Sequence, residues 1–265
     1  MSKRNSQEAK RAARERLRIE REKQAKKEKV RRQLFVGGAV VGLLAVVGGV
    51  AFAVTTLGGD DGSDKDWGAA KNAKLVQPAN AEGDKGTTVV LGGKDAEKTV
   101  DVYEDLRCPA CAQFEQQLGE PMKKGAEDDK YQLNIHLGAI IDGRFGGSGS
   151  KNAASALGAA LNVSTEAFKE YHGLLYSADH HPPENEDKFA DNEYLLDVAK
   201  NVDELKGNKQ FQKDVNKGTF DKWALEMINS FEDAGIEGTP TVKIDGEVVD
   251  TRQLPTKLEE LGVKL

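Results

Sequence analysis

The sequence predicts an α/β domain that carries an inserted block of helices and is preceded by one transmembrane helix. Three observations predict this organisation. An uncharged apolar stretch separates a strongly basic N-terminal segment from an acidic remainder. Further along the chain, apolar residues recur at the spacing of strands, change to the spacing of helices, and return to strand spacing near the C-terminus. The two cysteines of the chain stand three residues apart, where the first strands give way to a helix.

The charge of the chain is segregated. The 265 residues have a net charge of −6, but residues 1–32 hold fourteen Lys or Arg and five Glu, a net of +9, which leaves −15 for the rest. This pattern excludes an ordinary cytosolic globular protein. The basic segment could be a nucleic-acid-binding arm. A topology signal that also contacts anionic lipid headgroups is the simpler interpretation, so no nucleic-acid partner is predicted.

Residues 34–57 are predicted to span the cell membrane. At about 1.5 Å per residue they would form a helix of roughly 36 Å, long enough for a hydrocarbon core of about 30 Å. They lack the polar stripe that a buried core helix would show. Basic residues stay on the cytoplasmic side, so the N-terminus is predicted to be cytoplasmic and the C-terminal domain extracytoplasmic. An uncleaved signal anchor is favoured, and a signal peptide cleaved after Ala53 is the alternative.

The region after the apolar stretch begins with a spacer. Residues 58–86 are polar, rich in small residues and without periodicity, so a flexible linker is predicted. The roughly 180 residues that remain suffice for a full hydrophobic core. The predicted boundaries are 1–33 for the basic cytoplasmic segment, 34–57 for the transmembrane helix, 58–86 for the linker and 87–265 for the α/β domain, with a helical insertion at about 144–235.

The elements of the α/β domain follow from local patterns. Strands are predicted at 87–91 and 99–104, a helix at 113–124 and a long strand at 131–141. Helices are then predicted at 152–161, at 165–176 with Ser164 as N-cap, and at 192–200. An apolar stripe predicts one more buried helix, ended by Gly235; its members are Phe220, Trp223, Ala224, Met227, Ile228 and Phe231. Strands at 241–244 and 247–249 flank Asp245-Gly246, a strong hairpin signal, and a helix at 256–261 follows.

Cys108 and Cys111 form a Cys-Pro-Ala-Cys motif that predicts redox chemistry. A structural disulfide between residues three apart would add little stability. A zinc site would need two more ligands, for which the four histidines show no suitable spacing, so no metal is predicted. With Pro109 at the first helical position, the helix N-terminus would stabilise the thiolate of Cys108. Cys111 would then be the more buried thiol, and the exchange needs no cofactor.

Two segments of the chain resemble one protein family. Residues 103–115, YEDLRCPACAQFE, and residues 238–242, GTPTV, resemble the DsbA-like branch of the thioredoxin superfamily, and most of all its membrane-anchored Gram-positive members. The resemblance covers about residues 87–265. It implies a thioredoxin fold with an inserted helical subdomain, and it implies the activity of a protein thiol–disulfide oxidoreductase.

The resemblance also implies roles for individual residues. It implies that Cys108 is the attacking cysteine and Cys111 the resolving one. Pro240 matches the cis-proline that faces the motif in this family, and Thr239 precedes it. A cis bond at this point would let Thr239 present its N–H and C=O groups to an incoming peptide.

Two positions depart from the family pattern. The buried acid that often stands six residues before the first cysteine is replaced by Val102. Glu104 lies near but out of phase, and it is a candidate for the same role, a proton relay to the resolving thiol. The dipeptide between the cysteines is Pro-Ala, without the histidine of the most oxidising members. The direction of the redox reaction therefore stays open.

The predicted function is that of an extracytoplasmic oxidoreductase that forms or exchanges disulfides in exported proteins. A reductase or isomerase of the same fold would run the same chemistry at another potential. A thioredoxin-fold binding or assembly module, in which the cysteine pair is incidental, is the alternative from another class. The predicted partners are exported proteins with thiols, and the family resemblance suggests a membrane oxidase that reoxidises the pair.

Overall fold

The computed structural model describes residues 65–83, 85–93 and 95–265. Over these ranges, no helix is both long enough and apolar enough to cross a membrane. The transmembrane helix predicted at 34–57, the basic segment at 1–33 and the alternative cleavage site after Ala53 all lie outside the described residues. They therefore stay predictions.

A five-stranded mixed sheet lies at the centre of the described domain. Its strands are β1 (Val89–Val90), β2 (Thr99–Glu104), β3 (Gln132–Leu137), β4 (Thr241–Ile244) and β5 (Glu247–Val249), in the order β1-β3-β2-β4-β5. β2 pairs in parallel with β3, and the other neighbours are antiparallel. The last two strands form the predicted hairpin, with positive φ at both Asp245 and Gly246, as a tight two-residue turn requires.

The register of the sheet brings two distant segments together. Tyr103, near the end of β2, pairs with Thr241 at the start of antiparallel β4. The residues that follow β2 and those that precede β4 therefore meet at the same end of these two neighbouring strands. These are the segments that contain the cysteine motif and the Thr239-Pro240 dipeptide.

Helices surround this sheet and fill the long connection between β3 and β4. The helices of the described residues are α1 (Trp67–Asn72), α2 (Pro109–Phe114), α3 (Glu120–Glu127), α4 (Ile140–Phe145), α5 (Gly149–Val163), α6 (Thr165–Tyr176), α7 (Asn192–Ala199), α8 (Lys209–Lys217), α9 (Asp221–Asp233) and α10 (Leu254–Glu260). A π-helical turn, Glu115–Gly119, joins α2 to α3, and a 3₁₀ turn, Lys188–Ala190, precedes α7.

The helical block is organised around α5, which is buried along most of its length. The apolar stripe of α9 is buried as predicted, at all six residues, and α9 packs against α5. Gly158 of α5 allows this close approach, since a Cβ atom there would lie 2.7 Å from Trp223 Cε3. The bounds predicted for α6 and its N-cap are also confirmed, because the Ser164 side chain accepts a hydrogen bond from Ala167 N.

The strand predicted at 131–141 is wrong in its second half. β3 ends at Leu137, and the next residues turn into α4. The backbone N–H of Ile141 donates to a carboxylate oxygen of Asp105, at 2.8 Å, in the segment that follows β2. An alternation of apolar residues cannot reveal this contact, because its two residues are 36 positions apart.

Other element boundaries differ from the predictions by a few residues, and three helices were not predicted. The first strand is shorter than predicted. The helix predicted to continue from the cysteine motif to residue 124 starts at Pro109 and runs through the π-helical turn to Glu127. α10 begins two residues before the predicted 256, since Pro255 is compatible with a first helical turn. α1, α4 and α8 were not predicted.

The predicted flexible linker at 58–86 is corrected for the part that the structure describes. Helix α1 is capped by the Asp66 side chain, and Lys65 makes a 2.9 Å ion pair with Asp221. The Trp223 indole N–H donates to the carbonyl of Gly86 at 2.6 Å. This segment is held by polar contacts to the helical block, so its sequence lacks the apolar periodicity that would have predicted structure.

Candidate active site

The cysteine motif stands where β2 ends and α2 begins. Cys108 occupies the N-cap position and Pro109 the first position of α2, as predicted. Asp105 holds the connecting segment in place: its carboxylate accepts hydrogen bonds from the Arg107 N–H at 2.9 Å, the Ile141 N–H at 2.8 Å and the Ser150 hydroxyl at 2.6 Å. One carboxylate thus connects the motif to α4 and α5.

Arg107 is a second anchor for the motif. Its side chain is 4% exposed and forms a 2.8 Å ion pair with Asp142, whose side chain is 3% exposed. Arg107 also donates to the Gly146 carbonyl at 2.8 Å and lies 3.0 Å from Asp187. The guanidinium therefore ties the residue before Cys108 to the helical block.

The two thiols differ in environment in the predicted direction. Cys108 is 7% exposed and Cys111 is fully buried. Hydrogen bonds from the Cys111 thiol, the Thr239 side chain and the N–H groups of Cys111 and Ala110 outweigh burial and lower the pKa of Cys108 to about 5. Burial raises the pKa of Cys111 well above its usual value, and the nearby charges of Cys108 and Glu104 raise it further.

Thr239 and Pro240 face this thiol from the start of β4. The Thr239–Pro240 peptide bond is cis, which agrees with the geometry that the resemblance implied. When protonated, the Cys108 thiol donates to the Thr239 carbonyl, with an Sγ–O distance of 3.6 Å. The backbone N–H of Thr239 makes no hydrogen bond to any of the described residues. Thr239 thus has a free backbone donor beside the thiol, as peptide binding would require.

Glu104, the candidate relay, is completely buried below the motif. Its Oε1 atom is 2.5 Å from Nε2 of His172, which is also completely buried. Burial raises the pKa of Glu104 to about 8 and lowers that of His172 to about 4, so both groups are neutral at pH 7. A neutral carboxyl group next to Cys111 is able both to donate and, once ionised, to accept a proton.

The family of the chain follows from this fold and a comparison of sequences. Residues 84–261 match the family model described as Thioredoxin, which covers most of the chain. The chain belongs to the thioredoxin family. The match includes the cysteine motif, the helical block and the Thr239-Pro240 dipeptide.

Relatives of this thioredoxin-family chain are oxidoreductases. It is 25% identical over 160 residues to disulfide bond formation protein D of Bacillus subtilis (strain 168), a match that covers 60% of the chain and 68% of that protein. Oxidised DsbA from Mycobacterium tuberculosis is 26% identical, with a TM-score of 0.53, over 71% of the chain and 89% of that structure. MdbA, a thiol–disulfide oxidoreductase from Corynebacterium matruchotii, shares the fold at 23% identity, with a TM-score of 0.55 over 75% and 96%.

These relatives confirm the DsbA-like branch of the thioredoxin superfamily that the sequence resembles. They also confirm the predicted enzyme class: the chain is a thiol–disulfide oxidoreductase. The membrane anchor and the roles of Cys108, Cys111, Pro109, Thr239, Pro240 and Glu104 stay predictions.

Several residues of this thioredoxin-family site were not predicted from the sequence. They are Asp105, Arg107, Glu115, Lys123, Asp142 and His172. A signal for His172 was present, since it stands four residues after Phe168 and four before Tyr176, on the buried face of α6. A histidine on an apolar helix face indicates a buried polar partner. The partners of Arg107 carried no such signal, because they come from distant segments.

Proposed function

We propose that the chain introduces disulfides into exported proteins through the Cys108–Cys111 pair, outside the cytoplasm. The observation that carries this proposal is the stabilised thiolate of Cys108 beside the free backbone N–H of Thr239. A stable thiolate is a good leaving group, and a free backbone donor beside it suits an extended peptide. A relative that is named for disulfide bond formation supports the same direction of reaction.

The lowered pKa of Cys108 favours the oxidising direction. A thiol with a pKa of about 5 is almost wholly ionised at pH 7. Compared with a thiol whose pKa lies above 7, this ionisation stabilises the reduced form by about 2.7 kcal/mol, or roughly 60 mV of potential. A protein whose reduced form is stabilised releases its disulfide to other proteins more readily.

The proposed exchange has two steps. A client thiolate attacks Cys108 Sγ of the Cys108–Cys111 disulfide, and Cys111 leaves as a thiolate that takes up a proton. A second client thiolate then attacks the client sulfur of the mixed disulfide. The client leaves with its new disulfide, and Cys108 leaves as the stabilised thiolate. A membrane oxidase, to which the cysteine pair passes its two electrons, is the proposed partner for reoxidation.

The equilibrium of the cysteine pair with a glutathione buffer tests this function. The reduced form of the full chain is expected to be strongly favoured, so that the pair is more oxidising than glutathione. Thr239→Val is the matched variant: it keeps the shape of the side chain but removes its hydrogen bond to the thiolate. It is expected to shift the equilibrium toward the disulfide. A pair more reducing than glutathione would contradict the proposal and favour a reductase.

The proposed location has a separate test. A reporter enzyme that is active only outside the cytoplasm, fused after Leu265, is expected to be active, because the basic residues before 34–57 retain the N-terminus inside. A variant with the basic residues of 1–33 replaced by neutral ones is expected to lose this orientation in part. Activity of a cytoplasm-specific reporter at the same position would contradict the proposed location.

A further inference from the structure

The Glu104–His172 pair is the inner end of a longer row of buried ionisable groups. Nδ1 of His172 lies 3.7 Å from Oε2 of Glu115, and the same oxygen lies 3.6 Å from Nζ of Lys123. Exposed fractions of the four side chains are 0% for Glu104 and His172, 5% for Glu115 and 6% for Lys123. The row therefore crosses the interior from β2, through α6 and the π-helical turn, to α3.

The outer end of this row reaches solvent. Glu115 and Lys123 line an open groove of about 560 Å³, together with Gln116, Lys169, Gly173 and Ser177. Lys123 also lies 3.7 Å from Glu120, whose side chain is 90% exposed. No residue of the cysteine motif or of 238–241 lines this groove. Water in the groove thus lies beside the Glu115 and Lys123 side chains, on a face separate from the surface where a client would bind.

Three atoms along the row have unused hydrogen-bonding capacity. Glu104 Oε2, His172 Nδ1 and Glu115 Oε2 are buried and make no hydrogen bond. Buried polar atoms that make no hydrogen bond are unfavourable, so stability alone does not explain a row of three. The gap between His172 and Glu115 is about half an ångström longer than a hydrogen bond, so a small rotation of either side chain closes it.

Two glycines leave room for the side chains of Glu115 and Lys123. A Cβ atom on Gly119 would lie 2.5 Å from Oε2 of Glu115, and one on Gly173 would lie 3.3 Å from Nζ of Lys123. The π-helical turn that contains Glu115 and Gly119 also departs from regular helix geometry where the row passes. The backbone is therefore shaped around this row of side chains at two separate points.

We propose that Glu104, His172 and Glu115 form a proton path that connects Cys111 with the groove beside Lys123. This inference rests on the proposed redox function and adds to it two relay residues and an exit. In the resolving step, ionised Glu104 accepts the proton of the Cys111 thiol. The Cys111 thiolate attacks Cys108 Sγ, the Cys108–Cys111 bond forms, and the partner sulfur leaves as a thiolate that is protonated by solvent. The accepted proton passes to His172, then to Glu115, and then to water in the groove.

The path matters because Cys111 has no direct access to solvent while a partner is bonded to Cys108. Cys111 is fully buried, and a partner bonded to Cys108 covers the one cysteine that has access to solvent. The titratable and charged groups around Glu104 are Asp105, Cys108, Cys111, Glu115, Lys123, His172 and Tyr176. Of these, His172 and Glu115 lie between Glu104 and the groove, and a small side-chain rotation closes the 3.7 Å gap between them.

The two steps of oxidation by glutathione separate a relay role from a structural one. The reduced full chain is mixed with excess oxidised glutathione, quenched with acid and analysed by mass spectrometry. The Cys108–glutathione adduct reports the attack, and the Cys108–Cys111 disulfide reports the resolving step. His172→Gln and Glu115→Gln are expected to leave the attack rate unchanged and to slow the resolving step at least about tenfold, within the range of general acid–base catalysis. His136→Gln, at a half-buried histidine on β3 away from the row, is the control.

The pH profile supplies a second readout. The wild-type resolving rate is expected to rise with pH until Glu104 is ionised, and to level off above its raised pKa of about 8. The two relay variants are expected to lose this inflection, and equal melting temperatures would show that they fold.

Three outcomes would overturn the inference. If the relay variants resolve at the wild-type rate with the wild-type pH profile, Glu104 exchanges its proton without them, while the redox function stands. If attack and resolution slow equally, the row is a structural feature. If the wild-type chain forms no adduct at Cys108, the redox function itself fails.

Discussion

Cys108→Ala is expected to abolish thiol–disulfide exchange, whereas Cys111→Ala is expected to trap the chain in covalent complexes with its clients. Cys108 is the more acidic thiol and retains access to solvent, so it bonds to the client. In this variant the Cys108 thiolate attacks a client disulfide, one client sulfur leaves as a thiolate, and the mixed disulfide persists because the chain has no second thiol to displace the client. Cys111 alone is fully buried with a raised pKa, so it is expected to capture nothing.

Non-reducing electrophoresis of membranes from cells that carry each variant measures this difference. High-mass bands that disappear on reduction are expected for Cys111→Ala only, and the double variant is the control for adducts unrelated to the pair. Trapping by Cys108→Ala but not by Cys111→Ala would reverse the two roles. Trapping by neither would favour the alternative of a binding module.

Arg107→Leu is expected to lower the free energy of unfolding by about 3 kcal/mol, the lower end of the range for breaking a buried ion pair, since it removes the guanidinium 2.8 Å from the buried Asp142 carboxylate. That loss is a large share of the total stability of about 5–15 kcal/mol that is usual for a domain. Asp142 retains hydrogen bonds from the N–H groups of Ser150 and Lys151, and the Lys151 ammonium lies 3.8 Å from its carboxylate, so the loss does not exceed this lower value. Urea denaturation of the full chain measures the change.

Arg252→Leu is the matched control for this prediction. Arg252 also pairs with an aspartate, Asp250, but its side chain is 87% exposed. Exposed ion pairs contribute little to stability, so the unfolding midpoint of this variant is expected to match that of the wild type. Equal midpoints for the two arginine variants would show that the buried pair does not hold the motif in place.

The strands and the cysteine helix illustrate what local sequence predicts well. β2, β4 and β5 have the predicted bounds because period-two alternation and the Asp245-Gly246 turn act within a few residues. The end of β3 was missed because a carboxylate 36 residues away bonds the backbone of α4. The ordered structure in the described part of the predicted linker was missed for the same reason, since polar side chains from distant positions hold that segment in place.

The residues of the candidate site also fall into those that local sequence predicts and those that only the fold brings together. The sequence by itself determined the redox pair, its place at a helix N-terminus and, through family resemblance, the Thr239-Pro240 dipeptide. Only the tertiary structure decided that Glu104 contacts His172, that Glu115 continues the row, and that Arg107 pairs with Asp142. The physical reason is the range of the forces that act. Capping and periodicity depend on neighbours in the chain, whereas the pKa of a buried group depends on which side chains the fold packs against it, from any position in the sequence.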